Sequence, residues 1–403
     1  MSKKIELLSP AGDPERLRMA VAYGADAVYL AGQMYGMRSF AGNFSQDDLK
    51  EAVRFCHDHQ VRVHVTCNTM PRNQEVASLP EYLTFLQDIG VDALIIGDIG
   101  VLSLAKRYAP KTDLHISTQA SVTNYQAAIA WHELGAKRVI LARELTLDEI
   151  RELRAKTPKS LELEAFVHGA MCVSYSGRCV LSNYMTGRDA SRGACAQPCR
   201  YKYTLMEEQR PGEFFPVEED DKGTYIFNSK DMCMIDHIPE LMDVGLDSLK
   251  IEGRAKSAYY AAVATGAYRH AVDAASLDAP LDPVWRSELD KISHRPYSEG
   301  FYFGHPEQYV GDSRYIREWQ VNAIITSCTS EGQALASLRN KFKIGDTIEV
   351  IGPGIKPFSF SVTDLRDGDG LPIEEARTPQ MPLRLTLPHQ VPALSILRKQ
   401  VDV

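Results

Sequence analysis

Short apolar segments alternate with amphipathic segments along residues 1–255. The apolar segments are rich in Val, Ile and Leu, which is typical of parallel strands buried on both faces. They predict eight strands: Ile5–Leu8, Ala27–Leu30, Arg62–Thr66, Ala93–Ile96, Leu114–Ser117, Arg138–Leu141, Leu161–Val167 and Ser248–Ile251. Helical patterns lie at Pro14–Tyr23, Ser45–His59, Leu79–Leu86, Tyr125–Leu134, Thr146–Ala155 and Ser257–Ala274. Eight such units predict an α/β fold, a closed TIM-like (β/α) barrel over residues 1–300.

A recurring phrase marks the start of several strands. It appears as Gly24-Ala-Asp-Ala27 and Gly90-Val-Asp-Ala93, and in a related form as Gly245-Leu-Asp-Ser248. Glycine is the usual residue just beyond the end of a helix. The phrase therefore predicts a repeated helix-to-strand junction, as expected for a barrel.

The regular alternation breaks between the seventh and eighth strands. Residues 169–247 intervene where a short loop would connect a simple unit. An insertion at the carboxyl end of a barrel strand lies on the face that carries the active site. Five of the eight cysteines fall in this Cys-rich insertion, between Cys172 and Cys233.

The pattern changes again towards the end of the chain. Residues 301–317 are rich in Gly, Pro, Tyr and His and are interpreted as a linker. From residue 318 to residue 403, short alternating segments predict a small C-terminal β-barrel; they are Val321–Thr326, Thr347–Ile351, Ser359–Val362 and Leu383–Leu387.

Composition limits the class of protein. Hydrophobic residues make up 44% and charged residues 24%, as in ordinary globular proteins. The chain has no apolar segment long enough to span a bilayer and no signal-peptide pattern at its start, so we expect a cytoplasmic protein without membrane contact. Disulfides are then not expected, and the clustered cysteines need another explanation.

The charge distribution is uneven. The net charge of −8 argues mildly against a nucleic-acid-binding protein. Residues 178–202 nevertheless carry five basic side chains against one acidic residue, Asp189; the five are Arg178, Arg188, Arg192, Arg200 and Lys202. Such a local patch suits contact with phosphates.

Four cysteines have a spacing that suits a metal centre. Cys172 and Cys179 are separated by six residues, and Cys195 and Cys199 by three. Four thiolates from two such pairs can hold a tetrahedral zinc ion or an iron–sulfur cluster, although the wider pair is loose for zinc. From spacing alone, an iron–sulfur cluster, zinc and unliganded thiols all remain open. Cys233 lies among apolar residues and is expected in the core.

Polar residues recur where the predicted strands end, and a barrel would bring them to one mouth. We predict as catalytic Glu164, His168, Glu252 and Arg254, and as substrate-binding Arg143, Lys256, Asn68 and Gln119. Arginine and lysine at these positions suit a small anionic substrate with carboxylates. The alternative for each is a structural polar residue.

Hydrolase motifs are incomplete. The segment His132-Glu-Leu-Gly-Ala136 has alanine where a zinc-protease helix needs its second histidine. In the segment Cys172 to Gly177, cysteine stands where a nucleophile elbow has its first glycine.

Several segments together resemble the collagenase-like peptidase family U32, and the resemblance covers nearly the whole chain. The segments are Glu6–Gly12, Gly24–Tyr29, Glu164–Ser182, Gly193–Tyr203, Asn228–Asp231 and Ser248–Arg254. Within the family, the chain is most similar to members that hydroxylate tRNA.

The resemblance implies oxygen-independent hydroxylation of the wobble uridine of tRNA to 5-hydroxyuridine, with prephenate as co-substrate. It also implies an iron–sulfur cluster, of the 4Fe–4S type, on Cys172, Cys179, Cys195 and Cys199. It leaves room for a partner subunit of the same family. Two alternatives remain: a collagenase-like peptidase, and a non-catalytic RNA-binding protein with a structural metal.

Overall fold

The computed structural model describes residues 5–37, 42–172, 174–201, 219–220, 223–224, 229–306 and 315–401. Lys202 of the predicted basic patch, Asn228 and residues 307–314 of the predicted linker lie outside these ranges. Within them, no helix is long and apolar enough to cross a membrane.

Eight parallel strands close into a barrel, which confirms the predicted TIM-like fold. Numbered along the chain, the strands up to residue 251 are β1 (Glu6–Pro10), β2 (Ala27–Leu30), β3 (Arg62–Cys67), β4 (Ala93–Ile96), β5 (Asp113–Ile116), β6 (Arg138–Ile140), β7 (Glu162–Ala170), β8 (Glu219–Asp220), β9 (Gly223–Thr224), β10 (Asp231–Cys233) and β11 (Ser248–Ile251). Each of β1 to β6 pairs in parallel with the next strand, and β11 pairs in parallel with both β7 and β1. The eighth barrel strand is therefore β11.

Helices connect the strands and cover the barrel. They are α1 (Pro14–Ala22), α2 (Gln46–Asp58), α3 (Asn73–Val76), α4 (Leu79–Asp88), α5 (Ile99–Tyr108), α6 (Tyr125–Glu133), α7 (Leu147–Lys156), α8 (Leu181–Thr186), α9 (Ile238–Asp243), α10 (Ala258–Ser276) and α11 (Pro283–Leu289). The sequence pattern did not predict α5. Its start is fixed by Asp98, whose carboxylate accepts hydrogen bonds from the Gly100 and Val101 N–H groups.

The recurring Gly-x-Asp phrase has a structural reason. Its glycines end helices with positive φ angles, for example +100° at Gly24. Its aspartates then accept a hydrogen bond from the backbone of the neighbouring strand: Asp26 from Leu7 N, Asp92 from Val63 N and Asp247 from Leu163 N, at 3.0, 2.7 and 2.8 Å. Each aspartate thereby ties one strand start to the next.

The barrel interior contains a layer of buried charges. Arg138 of β6 donates hydrogen bonds to Glu164 of β7 at 2.9 Å, to Glu162 at 2.7 Å and to Glu6 of β1. Lys250 of β11 donates to the other oxygen of Glu164 at 3.0 Å. Burial alone would raise the pKa of Glu164, but Lys250 and Arg138 lower it to about 2, so its carboxylate is charged.

The insertion between β7 and β11 is attached to the carboxyl end of the barrel. It contains α8, two 3₁₀ turns at Ala190–Arg192 and Pro198–Arg200, and the short strands β8 and β9. The strand β10 pairs antiparallel with the last residues of β7, from His168 to Ala170. This pairing extends the barrel wall at the point where the insertion leaves it.

The C-terminal domain is an antiparallel β-domain, as the alternating pattern predicts. After β12 (Tyr297–Ser298), its strands are β13 (Trp319–Cys328), β14 (Gln333–Leu338), β15 (Phe342–Lys343), β16 (Thr347–Gly352), β17 (Ile355–Ser361), β18 (Leu365–Asp367), β19 (Glu375–Ala376), β20 (Pro382–Thr386) and β21 (Ile396–Gln400). Seven form one sheet in the order β17-β16-β21-β13-β14-β20-β18, and β15 pairs with β19.

The two domains share a buried contact. Buried Ile351 and Ile396 of the C-terminal sheet belong to the apolar core of the barrel. The fully buried Arg398 guanidinium contacts the carboxylates of Glu288 and Glu349, and Tyr23 of the barrel donates to the Ile351 carbonyl at 3.2 Å. The C-terminal domain therefore packs firmly against the barrel.

Replacement of Arg138 by methionine should destabilise the protein strongly. The change removes one counterion from each of the buried carboxylates Glu6 and Glu164 and leaves only Arg62 and Lys250 beside them, at a cost of about 3–5 kcal/mol in the free energy of unfolding. The matched control is Arg151→Met, which breaks an exposed ion pair with Asp148 on α7 and should cost less than about 1 kcal/mol. Denaturant unfolding measures both; equal effects would contradict the assigned role of the buried layer.

Candidate active site at the barrel mouth

A cavity of about 170 Å³ lies at the carboxyl end of the barrel, under the insertion. Strand ends form its floor and the insertion forms its upper wall. The polar residues that the barrel strands and the loops after them contribute include Thr66, Asn68, Ser117, Thr118, Gln119, Arg143, Glu144, Lys250, Glu252 and Arg254, and all four motif cysteines also line the cavity. The predicted convergence of strand-end residues on one mouth is therefore observed for five of the eight proposed side chains, Asn68, Gln119, Arg143, Glu252 and Arg254.

The amide of Asn68 is held at the end of β3. Its Nδ2 donates to Ser117 Oγ at 3.1 Å, and its Oδ1 accepts from Met37 N at 3.2 Å. Ser117 in turn accepts from the backbone N–H of Gln119, which begins a short 3₁₀ turn after β5. These bonds orient two amide-bearing residues at neighbouring strand ends.

Arg143 and Glu252 face each other across the cavity. Their charged groups are 3.6 Å apart, and the Arg143 guanidinium lies over the Phe166 ring, 3.9 Å from its centroid. A further hydrogen bond of 2.8 Å to the Ala170 carbonyl fixes Arg143 against β7. The pair gives the mouth one firmly oriented cation and one anion.

Two further cations lie at the floor. Arg254 is 3% exposed and donates to Thr66 Oγ1 at 2.9 Å. Lys250 lies 4.4 Å from the centre of the Tyr29 ring and forms the ion pair with Glu164. Burial lowers the pKa of Lys250, and Glu164 opposes that shift. The floor is therefore electropositive and connected to the charge layer inside the barrel.

Glu144 links the mouth to the insertion. Its Oε1 accepts from the Ser176 backbone N–H at 2.6 Å. Its Oε2 is buried, and among the described residues no hydrogen-bond partner for it is found. The Ser176 hydroxyl also accepts a hydrogen bond from the Arg143 backbone N–H. Two hydrogen bonds therefore join the residues after β6 to the cysteine segment.

The four cysteines share one wall of the cavity and are free of disulfides. Burial raises the pKa of the Cys199 thiol; Arg200 opposes this shift, while Cys172, Cys195 and Cys179 add to it. The Gln197 backbone N–H points at Cys195 Sγ, 3.4 Å away. Such donors stabilise thiolates and bound sulfide.

The spread of the sulfurs bears on what they could hold. Among the described residues, no three cysteine, histidine or carboxylate side chains converge closely enough to hold a single metal ion. Ligands of one zinc ion all lie about 2.3 Å from it, whereas the thiolates of a cluster bind different iron atoms and lie further apart. Four thiols are a donor set that both a tetrahedral zinc ion and an iron–sulfur cluster use.

The structure separates Glu164 and His168 from the mouth cavity. Glu164 is the third residue of β7, far from the carboxyl end of the strand, and its side chain is fully buried inside the barrel. Strand β7 itself continues to Ala170, three residues beyond the predicted end. His168 is 1% exposed and packs among Tyr260, Tyr268 and Tyr297. Burial lowers its pKa to about 3, although Asp231 opposes this, so it is a neutral imidazole.

Lys256 also lies elsewhere. After β11 the chain turns, with Lys256 N donating to the Gly253 carbonyl, and the ammonium donates to the Ser293 carbonyl at 3.1 Å. It therefore lines a second cavity, away from Arg143 and Arg254. The sequence analysis grouped these three cations in one site, and the structure divides them between two.

Lys250 and Tyr29 line the mouth but were not predicted as site residues. The signal for Lys250 was present, because a lysine inside the apolar strand Ser248–Ile251 must be paired or functional. Tyr29 gave no such signal, since an aromatic residue in a barrel strand is ordinarily core.

The outer face of the insertion is aromatic and basic. Tyr175, Val180, Tyr184 and Tyr201 are 53%, 75%, 90% and 48% exposed. Arg178 and Arg188 are exposed beside them. Exposed aromatic rings next to guanidinium groups are typical of surfaces that bind single-stranded nucleic acid.

The sequence matches known families over almost its whole length. Residues 12–312 match the family model for peptidase family U32, and residues 317–398 match the U32 C-terminal domain. The chain is 38% identical to tRNA hydroxylation protein P1 of Bacillus subtilis over an alignment of 406 residues. The alignment covers 99% of this chain and 96% of that relative.

Two other relatives carry different names. A Methanocaldococcus jannaschii protein named as an uncharacterized protease is 41% identical over 364 residues, covering 87% of this chain and 88% of the relative. The 23S rRNA 5-hydroxycytidine synthase of Escherichia coli is 40% identical over 273 residues, covering 68% of this chain and 40% of that relative.

Replacement of Gly177 by alanine should disrupt the attachment of the cysteine segment. A Cβ at this position would lie 2.1 Å from the Gln119 carbonyl oxygen, and the residue has a φ of +72°. The matched control is Gly187→Ala, since Gly187 has a φ of +70° but no atom within 4 Å of the added Cβ.

Both variants carry the backbone strain of about 1 kcal/mol, and only Gly177→Ala adds the clash, expected to cost about 1–3 kcal/mol more. Thermal unfolding and the rate of protease cleavage within the insertion measure the difference. Identical behaviour of the two variants would show that the segment does not rest on the 3₁₀ turn at Thr118–Ala120.

Proposed function

The chain belongs to peptidase family U32, and we propose that it is an RNA-modifying hydroxylase whose target base enters the cavity at the barrel mouth. One observation carries this proposal: four cysteines and a set of oriented amide and charged side chains line the same small cavity. The naming of one relative as a tRNA hydroxylation protein and of another as an rRNA hydroxycytidine synthase supports the class of reaction.

We further propose that the substrate is tRNA and that the product is 5-hydroxyuridine at the wobble position. The relative named for tRNA aligns over 96% of its length, whereas the one named for rRNA aligns over 40% of its length. The exposed tyrosines and arginines of the insertion would contact the strand that carries the base. The base itself must leave its stack to reach a cavity of this depth.

The side chains of the mouth suit a uracil ring. The amides of Asn68 and Gln119 offer both donors and acceptors, which matches the alternating carbonyl and N–H groups of uracil. Phe166, Tyr29 and Met171 provide flat apolar surfaces beside it. Arg254 and Lys250 would stabilise negative charge that develops on the ring oxygens.

Hydroxylation replaces a C–H bond by a C–OH bond and is a two-electron oxidation. The reaction therefore needs a source of the oxygen atom and an acceptor for the two electrons. We propose prephenate as the co-substrate and an iron–sulfur cluster on Cys172, Cys179, Cys195 and Cys199 as the redox centre. Such a cluster supplies one-electron transfer when bound. The shared wall of the four thiols and the Gln197 N–H support this assignment.

A peptidase mechanism has less support. It needs a nucleophile activated by a neighbouring base, or a metal-bound water. Among the described residues that line the cavity there is no histidine, and its serines and cysteines therefore have no imidazole partner there. The family name alone does not supply this chemistry.

Anaerobically purified protein should contain iron and acid-labile sulfide. Replacement of Cys199 by serine should lower the iron content, because serine is a poor ligand for a cluster. The controls Cys328→Ser in the C-terminal domain and Cys233→Ser in β10 should retain iron, since neither lines the cavity. Zinc without sulfide in the wild-type protein would contradict the proposed redox centre.

A strain that lacks this gene, and any paralogue, should lose 5-hydroxyuridine-derived nucleosides from its tRNA. Mass spectrometry of tRNA hydrolysates measures this loss. Wild-type protein and the Cys328→Ser control should restore the nucleosides, while Arg254→Gln should not, because the floor of the mouth loses its buried guanidinium. Unchanged tRNA in the deletion strain would refute the proposed function.

A further inference from the structure

A second cavity, of about 500 Å³, lies behind the cysteine segment. It is bounded by four parts of the chain: the loop after β11, the insertion, the segment after α11, and the start of the C-terminal domain. Its size is within the range of sites for small molecules. No part of the proposed RNA contact needs it.

Three cations face this cavity without a carboxylate partner among the described residues. Lys256 donates to the Ser293 carbonyl, Arg317 to Ser293 Oγ at 3.1 Å, and Arg200 to Gln197 Oε1 and the Tyr315 hydroxyl at 2.7 and 2.9 Å. The nearby acid Asp231 is already paired with Arg295 at 2.7 Å. Within the described part of the chain, the hydrogen bonds of these three cations therefore go to neutral groups only.

The remaining charged residues that line the cavity, Lys291 and Glu252, each have a partner of opposite charge. Lys291 lies 2.9 Å from both Glu288 and Glu349, and Glu252 faces Arg143. The pKa of Lys256 is lowered by burial to about 8; Asp231 opposes the shift, and Arg200, Arg295 and Arg317 add to it. A bound anion would relieve this repulsion between neighbouring cations.

Aromatic rings form the rest of the wall. Lys256 Nζ lies 3.7 Å from the centre of the Tyr315 ring and 5.3 Å from that of Tyr260, and Trp319 also lines the cavity. The 19-residue helix α10 begins here at its N-cap, Ser257, and the positive end of its dipole adds to the field. Cations and flat rings together suit an organic acid with an unsaturated ring.

The two cavities lie on opposite sides of one short segment. Cys195, Pro198 and Cys199 line the mouth, while Gln197 and Arg200 line the second cavity. A ligand bound behind this segment would lie next to the residues that carry two of the proposed thiolates, without competing with the base for space in the mouth.

We propose that the second cavity binds the small dicarboxylate co-substrate, with Arg200, Lys256 and Arg317 contacting its carboxylates and Tyr315 and Trp319 facing its ring. This assignment rests on the proposed use of such a co-substrate. The sequence analysis placed the carboxylates of the co-substrate at Arg143 and Arg254 in the mouth, whereas this assignment places them in a separate cavity.

Calorimetric titration of the full-length, anaerobically purified protein with prephenate tests the assignment. Arg317→Gln should weaken binding by about tenfold or more, because a charge-assisted hydrogen bond is lost, and Lys256→Met should do the same. Arg317 is exposed, so its variant should fold normally, and thermal unfolding checks both. The matched control at the mouth, Arg143→Gln, should change the affinity by less than about threefold.

Each other outcome has a distinct meaning. Loss of prephenate binding in Arg143→Gln, with Arg317→Gln unaffected, would overturn the assignment and leave the proposed hydroxylation standing. If an anticodon stem-loop RNA displaces prephenate, and if binding of that RNA is also weakened by Arg317→Gln, the cavity binds RNA phosphates. This result would overturn the assignment of the cavity to the co-substrate. Absence of prephenate binding to the wild-type protein would also overturn the assignment of the cavity. The proposed hydroxylase function would then be tested separately, by the nucleosides in the tRNA of the deletion strain.

Discussion

The barrel depends on the neutralisation of charges that its interior cannot expose to water. Arg138 and Lys250 share Glu164, and Arg138 also binds Glu6, so strands β1, β6, β7 and β11 are joined by one ionic network. His64 and His115 lie in the same interior, and burial lowers the pKa of each well below its usual value, so they add no charge. Removal of one of these charges leaves the buried network unbalanced in a low-dielectric space, which is far more costly than the loss of a surface ion pair. The network therefore fixes which strand faces which.

The same network sets the floor of the mouth. Lys250 is both the partner of Glu164 and a lining residue of the cavity, so its position follows from the strand register. Above it, each oriented side chain is held by a neighbouring strand end, as Asn68 is by Ser117. The insertion is then attached by Glu144 to the Ser176 backbone and by the close approach of Gly177 to Gln119. The thiols are thus positioned by a chain of contacts that begins inside the barrel.

Much of the fold could be predicted because its causes are local. Apolar strands with glycine and aspartate at their start leave one regular architecture, and the eight predicted strands agree closely with those observed. The direction of individual side chains could not be predicted in the same way. Glu164 lies far from the carboxyl end of β7, and ion pairs with Arg138 and Lys250 of two other strands hold it in the interior. The length of β7 also could not be predicted locally, because its last residues pair with β10, about 63 positions further along the chain. Lys256 turns away because of the loop after β11, which no strand pattern specifies. The resemblance to family U32 identified the cysteines but not which polar residues accompany them.

The cysteine segment takes an unusual backbone path where it passes between the two cavities. Gln197 has a φ of +58°, a conformation that is costly for a residue other than glycine, and it directly precedes the 3₁₀ turn Pro198–Arg200. This turn directs Pro198 and Cys199 to the mouth and Arg200 to the second cavity. In a regular helix or strand, successive side chains also point to different faces. The 3₁₀ turn places side chains on both faces within three residues, so the segment between the two cavities stays thin. The strained residue therefore lies in the thin part of the chain that separates the two cavities and contributes residues to both.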